Sequence, residues 1–95
     1  MYVLVAYDVA FSEDGQKRLR KVAKVCQNYG HRVQNSLFEC LLEPAQFLLM
    51  KNDIQNIIDP SLDSVRFYHL PNNYKQRIES LGKSNSLDFT GDLII

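Results

Sequence analysis

Val3-Leu4-Val5-Ala6-Tyr7-Asp8-Val9, with Tyr2 ahead of it, is a run of strand-forming residues broken by one carboxylate. The unbroken apolar and aromatic stretch 2–7 predicts a central strand covered on both faces. Asp8 would then stand on a stiff element where the chain leaves the sheet. A carboxylate fixed there suits a hard cation or acid–base chemistry. From this stretch alone, the capping of the following turn is the simpler role for it.

Working outward from this strand, 10–15 reads as a loop, with Ser12 and Asp14 able to cap a helix over 16–29. Leu19, Val22, Ala23 and Cys26 recur at helical spacing and form its expected buried stripe. Lys17, Lys21 and Lys24 fall on the wet face. Arg18 and Arg20 flank the stripe, where a long side chain can lie along the sheet and reach its end. Gly30 suits the left-handed position after a helix. The stretch 31–42 is strand-like but polar at its middle, which predicts two short strands with a turn near Asn35-Ser36. Gln34, Asn35 and Ser36 serve either as a polar turn or as hydrogen-bonding groups for backbone, phosphate or a partner chain.

Pro44 opens a second helix at the position where its missing N–H is harmless, and Asp59-Pro60 ends it. Phe47, Met50, Ile54, Ile57 and Ile58 give that helix its buried face. A strand over 64–70 and up to two helical turns over 74–81 follow. The order strand, helix, strand, strand, helix, strand is the split βαβ plan. It predicts an α+β, ferredoxin-like domain over 1–82: a four-stranded antiparallel sheet with two helices on one face. Residues 83–95 read as a linker and a C-terminal strand, ending in Leu93-Ile94-Ile95, that pairs with a second copy of the chain. The sheet's other face would be open, which also favours a homodimer.

The chain's 95 residues suffice for one domain, and a hydrophobic share of 45% is ordinary for a globular protein. No apolar run approaches the roughly 20 residues of a membrane span, so a cytoplasmic protein without membrane contact is expected. Cys26 and Cys40 have neither metal-site nor redox spacing and fit buried free thiols. His31 and His69 are isolated from other ligands. The eleven basic and eleven acidic residues cancel, yet their distribution is uneven. Lys17, Arg18, Arg20, Lys21, Lys24 and Arg32 all lie between Asp14 and Glu39, and no acid interrupts them. Such asymmetry is either a phosphate-binding footprint or a solvated face.

Three stretches carry a resemblance. Tyr7-Asp8-Val9, Arg18-Leu19-Arg20-Lys21-Val22-Ala23 and Tyr29-Gly30-His31-Arg32-Val33-Gln34-Asn35-Ser36-Leu37-Phe38-Glu39-Cys40 closely resemble the small CRISPR-associated endonucleases, which partner the CRISPR integrase in spacer acquisition. The resemblance is dense over 1–42 and looser beyond. It implies a homodimer docked through its sheets and a metal-binding, catalytic Asp8 preceded by Tyr7. It further implies nucleic-acid contacts from Arg18, Arg20, Arg32 and Ser36, to which the charge pattern adds Lys17 and Lys21. Phe38 reads as a core or interface residue rather than a base-stacking platform. One carboxylate per chain is a poor cage for magnesium, or for manganese in its place. A two-fold axis near Asp8 would supply a second one. The implied activity is metal-dependent hydrolysis of phosphodiester bonds in double-stranded DNA or RNA. The competing reading is a non-catalytic scaffold that bridges integrase subunits on DNA. A ligand-binding regulatory dimer of the same fold ranks last, because it has no use for the acid-free basic interval.

Overall fold

The central position in the sheet goes to β1 (Tyr2–Asp8), as the opening stretch demands. In the computed structural model, which describes residues 1–82, β1 pairs antiparallel with β3 (Leu37–Leu41) on one side and β4 (Ser64–Leu70) on the other. The remaining strand, β2 (Gly30–Gln34), borders β3, giving the order β2-β3-β1-β4. Two helices, α1 (Glu13–Tyr29) and α2 (Pro44–Ile57), form the crossovers. This is the expected ferredoxin-like arrangement. The strand over 83–95, with Leu93, Ile94 and Ile95, lies outside the described residues.

Alternation along β1 separates the two faces. Val3, Val5 and Tyr7 turn toward the helices and join Val22, Cys26, Met50 and Ile54 in one core. Leu4 and Ala6 on the other face are only half-buried, so the expected covering of β1 on both faces is half realised within one chain. Tyr68 and Leu41, on the strands flanking β1, keep 44% of their surface exposed on that open face. One end of it is closed by a single 3-10 turn, Tyr74–Arg77. The Tyr74 ring packs 4.3 Å from that of Tyr2, and its hydroxyl donates to Glu39 Oε2 at 3.3 Å. Glu39 is thereby buried beneath the Tyr74–Arg77 turn.

Local chemistry explains the boundaries. Ser12 caps α1 by accepting the Gly15 N–H at 2.9 Å, which starts the helix three residues earlier than expected. Gln46 reaches back to the Glu43 N–H at 2.8 Å at the start of α2. The Asn35-Ser36 turn separates β2 from β3 as the polar gap implied, and a register irregularity between Arg32 and Gln34 absorbs the twist. Gly30 differs from expectation. Its φ of −162° is extended, not left-handed. Glycine is needed there because a Cβ would collide with the Glu39 carbonyl oxygen and Cys40 Sγ on the neighbouring strand. Leu19 also departs from the expected buried stripe and is 38% exposed; Gly15, Val22 and Cys26 form the buried line of α1 instead. No helix among the described residues is long and apolar enough to cross a membrane.

Candidate functional site

Asp8 closes β1 opposite Ser64 of β4, exposed and on the open-face side of the sheet. Among the described residues no hydrogen bond or ion pair engages its carboxylate, so the turn-capping role is not the one it plays. Its neighbour Tyr7 points the opposite way, into the core, and is 6% exposed. The Tyr7 ring stacks on Phe38 with centroids 6.1 Å apart. Burial pushes the Tyr7 phenol above its usual range, against the pull of nearby Arg32. Tyr7 and Asp8, consecutive in β1, therefore face opposite sides of the sheet, and the structure does not bring the expected pair together. Phe38 is fully buried and packs in the core between the sheet and the helices, the first of the two places expected for it.

The loop that follows Asp8 is held by a residue the sequence reading missed. Asp63 is 8% exposed and lies at the entrance to β4. It accepts the Ala10 N–H at 3.0 Å, the Asp59 N–H at 2.9 Å, and two N–H groups of Arg18 at 2.7 and 3.2 Å. Four donors on one carboxylate fix the β1–α1 loop to the α2–β4 loop. The Arg18 guanidinium beside it holds the Asp63 carboxyl down to about 2, below the usual carboxylate range. Arg18 is consequently a structural cation. Its head group is committed within the chain, contrary to the expected phosphate contact.

The remaining cations of the acid-free interval divide in two. Arg32 sits with its guanidinium carbon 5.1 Å from the Phe38 ring centroid, a cation–π contact on the helix-covered side of β2. Lys17, Arg20, Lys21 and Lys24 are all exposed, and among the described residues none has a salt-bridge partner. Their spacing of i, i+3, i+4 and i+7 puts them on one face of α1 over about 10 Å of helix. They line a shallow groove of about 520 Å³ with Val25 and Ile57. Lys24 thus joins the candidate residues, and Arg20 sides with the lysines rather than with Arg18. Ser36 is half-buried in the β2–β3 turn, and its carbonyl accepts the Tyr7 N–H at 3.1 Å.

Neither cysteine takes part. Both are free and buried, and burial pushes their thiols up, Cys26 to about 12 and Cys40 to about 11. Among the described residues no three His, Cys, Asp or Glu side chains gather as a metal cluster. One chain thus brings a single unengaged carboxylate to the end of β1, with a four-cation stripe on the adjacent helix.

A family model described as CRISPR associated protein Cas2 matches residues 1–78. The chain is 50% identical over 95 residues to a CRISPR-associated endonuclease Cas2 of Halalkalibacterium halodurans, covering 99% of each. It is 48% identical over 96 residues to a CRISPR-associated endoribonuclease Cas2 of Chlorobaculum tepidum, covering all of both. The crystal structure of Streptococcus pyogenes Cas2 at pH 6.5 superposes with a TM-score of 0.80 at 53% identity, over 86% of this chain and 100% of that one.

Proposed function

The chain belongs to the CRISPR-associated Cas2 family, and on that premise we propose that it is a metal-dependent endonuclease hydrolysing phosphodiester bonds of double-stranded DNA or RNA during spacer acquisition. The relatives' names, endonuclease in one case and endoribonuclease in the other, support a nuclease and leave both polymers as substrates. The observation that carries the reading is Asp8, an exposed carboxylate at the end of the central strand that has no partner among the described residues.

A lone carboxylate fits a magnesium or manganese ion only as half of a site, since such an ion takes octahedral oxygen ligands and keeps several waters. Asp8 from each of two copies would hold it between them. The partly uncovered sheet face bearing Leu41, Tyr68 and, at its end, Asp8 favours that pairing. When bound, such an ion supplies polarisation of a phosphoryl oxygen and a more acidic coordinated water. The chain's own part is positional. Asp63 and Arg18 hold the loop after Asp8, and Lys17, Arg20, Lys21 and Lys24 hold the polyanion. Asp8→Ala is expected to lower magnesium-dependent cleavage at least about a hundredfold while leaving the melting temperature within about 2 °C, because the residue is exposed. Cleavage that survives the substitution would defeat the nuclease reading.

One observation favours a second reading, a dimeric scaffold bridging integrase subunits on DNA: no three metal-ligating side chains gather among the described residues. Under that reading spacer integration tolerates Asp8→Ala and is lost when residues 83–95 are deleted.

A further inference from the structure

Phe11, in the loop between β1 and α1 and three residues beyond Asp8, is 97% exposed. A single exposed apolar residue is ordinary. This one also walls a depression of about 310 Å³, together with Val9, Ala10, Gly15, Gln16, Leu19 and Arg20. The volume is at the small end of ligand sites, and the lining is mostly apolar with one amide, Gln16, and one cation. Arg20 lines this depression and the basic groove of α1 alike, so the two share a wall. A mainly apolar recess with an exposed aromatic wall therefore lies beside a ladder of cations, with Arg20 between them.

That pairing of surfaces matches the two halves of a nucleotide, a flat base and an anionic phosphate. We propose that the depression receives one unpaired nucleobase, stacked on Phe11, while Arg20 and the lysines of α1 hold the adjoining phosphates. The inference rests on the nucleic-acid reading above and deepens it. A base inside a regular duplex has both faces covered by its neighbours, and only an unstacked one offers a π-face. Phe11 therefore makes the protein a reader of discontinuities, namely a bulge, a frayed end or a flap. Extruding a base is least costly where it is already unpaired. The opposing assignment for the ring is a contact with a protein, a second copy included. It would call for an apolar counterpart, whereas the cations beside the ring complement an anion.

The test uses the full chain and three labelled duplexes of one length: fully paired, with a single-nucleotide bulge, and with an abasic bulge at the same place. The bulged duplex is expected to bind roughly tenfold tighter than the other two, the scale of one base stacked on an aromatic ring. Phe11→Ala brings its affinity down to that of the fully paired duplex, and Phe11→Trp retains the preference. Equal binding of the bulged and abasic duplexes by the wild-type chain, or a preference that survives Phe11→Ala, overturns the proposal. A changed oligomeric state of Phe11→Ala in light scattering also overturns it, by reassigning the ring to a protein contact. If the wild-type chain binds no duplex at all, the nucleic-acid reading fails and takes this one with it.

Discussion

Arg18 and Arg20 are two residues apart on α1, and their surroundings differ in kind. Arg18 belongs to a junction where charge is satisfied inside the chain: its guanidinium meets Asp63, whose carboxylate also gathers the Ala10 and Asp59 N–H groups. Arg20 belongs to an outer face where four cations line one groove and none has an acidic partner among the described residues. The junction uses charge to hold two loops in register beside Asp8. The outer face leaves its charge turned to solvent. Composition does not distinguish the two, and geometry does.

The largest expected effect tests the outer face. If four cations each neutralise one phosphate, the salt slope of duplex binding is about −3.6 on logarithmic axes, so affinity falls roughly a hundredfold between 50 and 200 mM salt. Replacing Lys17, Arg20, Lys21 and Lys24 together by Gln is expected to flatten that slope to near zero and leave the melting temperature within about 2 °C. A stripe variant that keeps the wild-type slope would show that the groove is merely a solvated surface.

Next in size is the junction. Asp63→Asn removes the charge from a carboxylate that accepts four hydrogen bonds, and a fall in melting temperature on the order of 10 °C is expected. The effect carries a pH signature. The folded Asp63 carboxyl is held to about 2, below its unfolded value, so its contribution is complete above the unfolded pKa and is lost as pH falls toward about 2. Urea midpoints of wild type and Asp63→Asn should therefore lie far apart at pH 5 and converge between pH 4 and 2. A gap that stays constant across that range would place the stabilisation somewhere other than the ionised carboxylate.

The same contrast explains what could be read in advance. Strands β1 and β4, the Asn35-Ser36 turn and the Met50–Ile54 face of α2 were legible because each is set by residues close together in the chain, through alternation, turn chemistry or helical spacing. Asp8 was legible because a carboxylate ending an apolar strand is a local pattern too. The Arg18–Asp63 pair spans 45 positions, and nothing near Asp63 marks it as more than another loop acid. Leu19 misled for a related reason. Periodicity locates a helical stripe only to within one position, and the close approach of Gly15 to the Ala10 carbonyl rotates the buried line of α1 toward Gly15, Val22 and Cys26. Phe38 and Tyr7 carry the family resemblance in their sequence, yet strand alternation places both in the core.

The smallest effect asks whether the outer face is four separate contacts or one diffuse field. Lys24 ends the ladder, one helical turn beyond Arg20 and Lys21, and lies farthest along α1 from the loop that follows Asp8. If the stripe tracks a phosphate backbone contact by contact, Lys24→Ala removes one released counterion and moves the salt slope by about 0.9, with cleavage at Asp8 affected only through binding. If the cations act instead as a summed potential that steers the polyanion, loss of one charge slows association and scarcely changes the slope. Measuring the slope and the association rate on the same variant separates the two. A change confined to the rate would mean that the stripe recruits the polymer and that Arg20, at the meeting point of the two depressions, places it.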